Sequence, residues 1–90
     1  MKRHTIEEVI KLILDFYKNS KVGDTTTEPF HAEDGLDLPY YLSHIAQGDN
    51  HAILVHEECD GLWTRSLNIP MNSENDKEEM SEALEWYFNN

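Results

Sequence analysis

The sequence predicts an α+β fold: a small single domain with an N-terminal helix, a long loop, a short helix, an antiparallel β-hairpin and a C-terminal helix. Three observations carry this. A capping box opens an amphipathic run near the start, an Asp-Gly pair separates two strand-like segments, and an apolar stripe at helical spacing closes the chain. Ninety residues suit one domain. With 39% hydrophobic and 10% aromatic residues the chain can build a core, which a disordered acidic tail could not.

Thr5 and Glu8 form the Thr-x-x-Glu box, in which each side chain accepts from the other residue's backbone N–H. Behind it Ile6, Val9, Ile10, Ile13, Phe16 and Tyr17 share one helical face, and Lys18 and Lys21 suit the negative end of the dipole. A helix over 5–19 follows. Residues 20–36 lack periodicity and are punctuated by Ser20, Gly23, Asp24, Pro29 and Gly35, which makes them a long loop, mobile or carrying an edge strand within 24–31. Asp37-Leu38-Pro39 reads as a helix start and Gly48 as its terminator, giving a short helix over 38–47. Strands over 51–57 and 62–69 flank Asp60-Gly61, a type I′ turn pair. That turn sets Leu54 opposite Leu67, Ala52 opposite Ile69, His56 opposite Arg65 and Glu58 opposite Trp63, and leaves Ile53 and Val55 on a more polar face. Ser73 is the candidate N-cap of a last helix over 74–88, with Met80, Ala83, Leu84 and Tyr87 inward and Trp86 and Phe88 on the flanks.

The charge is polarised. Formal net charge is −11 and the pI is near 4.6. Residues 1–21 hold five cations and three carboxylates, net +2, whereas residues 22–90 hold only Arg65 and Lys77 against fifteen carboxylates, net −13. Direct nucleic-acid binding is disfavoured, because phosphates reward Lys and Arg. No apolar run reaches the roughly 18 residues of a membrane span. Met1-Lys2-Arg3-His4 could begin a secretory signal, but Glu7, Glu8, Lys11 and Asp15 interrupt the apolar stretch such a signal needs. Together with the single Cys59 this makes a cytoplasmic location the expectation.

Catalytic signals are weak. His51, His56 and Cys59 cluster among Glu57, Glu58 and Asp60, yet there is no Cys-x-x-Cys pair and no His-Glu-x-x-His. Ser43 and His44 are adjacent, so on a helix they diverge. A small metal-binding or catalytic domain using His51, His56 and Cys59 is therefore the alternative reading. A homodimeric structural subunit is another. No cofactor and no metal are expected, and the chain is expected to be a monomer or a homodimer.

The leading expectation is a non-enzymatic acidic protein that docks on and inhibits a basic, nucleic-acid-handling partner or toxin. Glu74, Glu78, Glu82 and Glu85 line one face of the last helix with only Lys77 nearby, although alternating signs would stabilise a helix better. Such a row can imitate a phosphate backbone, as a phage anti-defence protein would. Glu57, Glu58 and Asp60 on the hairpin join it, with Tyr41 and Trp63 as aromatic anchors. The five residues Asp37-Leu38-Pro39-Tyr40-Tyr41 resemble, in surface chemistry, the acidic tyrosine-paired segment of immunity proteins that neutralise nuclease bacteriocins. Those proteins are all-helical and carry their proline after the tyrosines, so the resemblance implies a similar surface and no shared fold.

Overall fold

A computed structural model describes residues 2–34, 38–71 and 77–89. In chain order these form β1 (Arg3–His4), α1 (Ile6–Asn19), β2 (His31–Ala32), β3 (Tyr40–Gln47), β4 (Asn50–Cys59), β5 (Leu62–Met71) and α2 (Lys77–Asn89). An antiparallel sheet of order β3-β4-β5 is packed by two helices on one face, an α+β domain. The short β1 and β2 pair in parallel.

The capping box forms as the spacing requires. Thr5 N–H donates to Glu8 Oε1 at 3.0 Å and Glu8 N–H donates to Thr5 Oγ1 at 3.2 Å. The Thr5 backbone donor, and then Lys2, hold the Glu8 carboxyl below the ordinary carboxylate value. Val9, Ile10 and Ile13 are buried, with Ile6, Leu12, Leu14, Phe16 and Tyr17 packed around them.

Residues 38–47 are not a helix. From Tyr40 to Gln47 they form β3, an eight-residue strand in which Tyr40, Leu42 and His44 are buried while Tyr41, Ser43 and Ile45 face the other way. Both periods fit this segment in sequence, because Tyr41, Leu42 and Ile45 also satisfy helical spacing. Pairing decides it: β4 becomes a central strand with a neighbour on each side, and aromatic residues fit a pleated surface. Gly48 misleads for a physical reason. Its φ of +62° suits a helix terminator and equally the first central position of a two-residue turn, here Gly48-Asp49 between paired Gln47 and Asn50. Among the described residues the long loop contributes no full strand to this sheet. It touches the outer edge of β3 through single bridges, Thr25 to Ser43 and Phe30 to Tyr40.

The β4–β5 hairpin turns at Asp60 (φ +53°) and Gly61 (φ +83°), the positive pair a type I′ turn demands. Next to the turn the expected register holds, with Glu58 opposite Trp63 and Cys59 opposite Leu62. Beyond it the register slips by one: His56 faces Ser66, Leu54 faces Asn68 and Ala52 faces Pro70. Thr64 and Arg65 together oppose the single residue Glu57, which is a β-bulge on β5. The extra residue inverts the phase of β5, so Leu67 and Ile69 join Ile53 and Val55 on the helix-covered face. The face expected to be polar is thus the core on β4, and Leu54 and Ala52 lie on the uncovered side. Burying each such aliphatic side chain is worth about 1.5–3 kcal/mol, which is why the bulged register wins over the unbulged one.

In α2, Met80, Leu84, Tyr87 and Phe88 are buried and Ala83 is half-buried. Phe88 is therefore a core residue and not a flank. The Ser73 cap and residues 74–76 lie outside the described residues.

Candidate functional site

Two clusters grow out of the bulge, one on each face of the sheet. On the covered face Glu57 is 2% exposed. Arg65 Nε donates to its Oε1 at 3.1 Å and Thr64 Oγ1 donates to Oε2 at 3.3 Å. Both bulged residues thus converge on the one carboxylate they oppose. The Arg65 guanidinium also donates to the Tyr87 carbonyl at 2.6 Å and lies 4.5 Å from the centre of the Tyr87 ring. Burial, then the charge of Glu57, pushes the Tyr87 phenol far above the ordinary tyrosine value. This is a structural clamp between hairpin and α2.

On the uncovered face a concavity of about 350 Å³ is lined by Leu54, His56 and Trp63, by Thr25, Ser43, Thr64 and Ser66, and by part of Arg65. Such a volume falls at the small end of ligand-holding clefts, about 300–1,000 Å³. Tyr41 and His56 stack across the strands with planes 19° apart, and the Trp63 ring stands steeply inclined to both, at 87° to His56 and 73° to Tyr41, its centroid 4.2 Å from His56 and 5.4 Å from Tyr41. Trp63 is nevertheless 59% exposed. Burial, then the Glu58 charge beside it, raises the Tyr41 phenol above its ordinary pKa.

A hydrogen-bonded chain runs through this face. His56 Nε2 lies 2.8 Å from Ser43 Oγ, and Ser43 Oγ lies 2.9 Å from Thr25 Oγ1. His56 Nδ1 is buried with no partner among the described residues. Buried N–H groups without acceptors are rarer than acceptors short of a donor, which favours the tautomer carrying its proton on Nε2. The ring then donates to Ser43, the reverse of what a base activating a nucleophile does, and among the described residues no third group hydrogen-bonds its other nitrogen. Burial holds the His56 pKa below the ordinary 6.5. Below that value the unfolded chain takes up a proton that the folded ring resists, so this contribution to stability is full at higher pH and is lost as pH falls through 6.5 and on to the lowered folded value. Urea unfolding at about pH 7.5 and about pH 5.5 should show a smaller loss in His56→Gln than in the wild type; equal losses would contradict the assignment.

The other histidines lie apart. His44, buried on the covered face, has Nδ1 2.9 Å from Ser20 Oγ and Nε2 2.8 Å from His51 Nδ1, under the Tyr17 ring. His51 and His56 thus face opposite sides of the sheet, and Cys59 is exposed at the hairpin end. The structure does not bring these three together, and among the described residues no group of three His, Cys, Asp or Glu is placed to hold a metal ion.

The expected docking residues are divided by the same geometry. Glu58 and Tyr41 are half-buried and Asp60 and Trp63 exposed at the uncovered hairpin end, whereas Glu78, Glu82 and Glu85 are exposed on α2, which packs on the opposite face. Glu57 is removed from the surface altogether, and Glu74 lies outside the described residues. Tyr40 is fully buried and Tyr41 points away from it, so the paired-tyrosine surface of the immunity-protein analogy does not form. Sequence reasoning missed the Ser43–His56–Thr25 chain, since nothing in the spacing joins residues from a loop and two strands. Among the described residues no helix is long and apolar enough to cross a membrane. No protein-family model, curated protein or solved structure matches the chain significantly.

Proposed function

We propose that this protein works by binding, docking its acidic surface on a basic, nucleic-acid-handling protein and inhibiting it. A nuclease toxin or a host-defence nuclease has the required chemistry, and an immunity protein or a phage antagonist would be the setting. One observation carries the reading. Of the two cations after residue 21, Arg65 turns inward onto Glu57. Setting that pair aside leaves fourteen of the fifteen carboxylates in residues 22–90 against Lys77 alone. A field this one-sided opposes compaction, and a partner that neutralises it gains both rate and selectivity. The last turn of α2 carries no base, and Glu85 there opposes the helix dipole. Binding rather than catalysis also accords with the polarity of the Ser43–His56 pair.

The test is affinity for a candidate basic nuclease at about 50 mM and about 500 mM salt, with duplex DNA as competitor. Affinity should fall at least about tenfold with salt, and DNA should displace the protein. Salt-indifferent affinity would contradict the proposal.

A further inference from the structure

We propose that Tyr41, Glu58 and Trp63 form a seat for one arginine side chain of the protein partner. This rests on the docking function above and names the chemistry at one point of its contact. Glu58 lies directly opposite Trp63 in the β4–β5 ladder, and the Tyr41 ring is 5.4 Å from the indole. A carboxylate and two aromatic rings therefore meet at one spot, beside the concavity lined by His56 and Trp63.

The neighbouring carboxylates make the contrast. Glu57 turns inward and has its guanidinium in Arg65. Glu58 turns outward, and among the described residues it has no cationic partner; its neighbour is the Tyr41 phenol. Lys77 begins α2 on the other side of the sheet. The chain thus supplies a cation to one of the two adjacent carboxylates and leaves the other open. Trp63 completes the seat, since an indole that is 59% exposed at a hairpin end offers aromatic surface for a cation to lie against.

The occupant is a guanidinium on physical grounds. It is planar and weakly hydrated, and it can lie against an indole while its fork meets a carboxylate. An ammonium makes one of these contacts well and remains strongly hydrated. A nucleotide or nucleic-acid strand would bring its phosphates into the field of Glu58 and Asp60, which disfavours it.

The experiment is a chemical-shift titration of the full chain with N-acetyl-arginine amide, N-acetyl-lysine amide and N-acetyl-citrulline amide. It is read at the indole N–H of Trp63, with that of Trp86 as internal reference. The arginine compound should shift Trp63 saturably, bind at least about threefold tighter than the lysine compound, and leave Trp86 nearly unmoved. Citrulline, neutral but of the same shape, should give no saturable shift. Glu58→Gln should weaken arginine binding at least about fivefold, and Glu7→Gln, on exposed α1, should leave it unchanged. An equal response to citrulline or lysine, or an arginine response indifferent to Glu58→Gln, would overturn the seat. Either result would leave the docking function standing, because that function is decided by salt-dependent binding to the basic protein.

Discussion

Arg65→Ala will destabilise the fold by about 3–5 kcal/mol, a large share of the roughly 5–15 kcal/mol that holds a domain together. The substitution strips the Glu57 carboxylate of its counter-charge while leaving it buried, with Thr64 Oγ1 at 3.3 Å and the neutral Tyr87 phenol still beside it. It also removes the 2.6 Å bond to the Tyr87 carbonyl and the cation over the Tyr87 ring. Most of the cost is the stranded charge and not the net worth of the pair. The double change Glu57→Leu with Arg65→Met should therefore recover most of the loss, since a buried ion pair is often no better than well-packed apolar residues. Arg65→Lys should recover less, because an ammonium cannot reach Glu57 and the Tyr87 carbonyl in the same fork. Urea unfolding of the four proteins checks this. A double variant as unstable as Arg65→Ala would mean that the clamp acts through shape and not through charge.

Phe88→Ala should cost about 3–5 kcal/mol. The ring is 3% exposed and sits 5.1 Å from Tyr40 and 5.5 Å from Tyr87, where Tyr40 also stacks on Phe30 at 5.6 Å. That cluster joins the long loop, β3 and α2. A helix of 13 residues is marginal without packing, so the variant should lose hydrogen-exchange protection in α2 before it loses protection in β4. Trp86→Ala, two residues away and 62% exposed, should change stability by less than about 0.5 kcal/mol. Equal effects at positions 86 and 88 would contradict the docking of α2 described above.

Both variants bear on how much the sequence disclosed. The first helix was legible because local chemistry, a reciprocal cap and one periodic face, specifies it without help from the rest of the chain. The Asp60-Gly61 turn was legible for the same reason. Residues 38–47 were not, since Tyr41, Leu42 and Ile45 satisfy two periods and only the unmet edge of β4 selects one. The bulge was harder still. A turn fixes register only as far as the ladder stays regular, and one extra residue on β5 reverses the faces beyond it. Its trace was present in composition: only a slip places Ile53, Val55, Leu67 and Ile69 on one side. Arg65 was visible as a lone cation in an acidic stretch, but its inward role depends on that slip. Of the candidate surface, the residue types were legible and their sides were not. Glu57 and Glu58 are equivalent in sequence and opposite in the fold.

The proposed docking draws on exposed carboxylates at two places, the hairpin end and α2 on the other side of the sheet, and charge reversal at equal net charge tests the α2 part most directly. Glu82→Lys with Glu85→Lys changes α2, and Glu7→Lys with Asp15→Lys makes the same change of net charge on exposed positions of α1. Reversal at Glu85 also places a cation at the negative end of α2, which should keep the helix at least as stable. Affinity for the same basic nuclease at low salt should fall at least about tenfold more for the α2 pair than for the α1 pair, with both proteins folded. Equal losses from the two pairs would contradict α2 as a docking face and would mean that its carboxylates act only through the total charge.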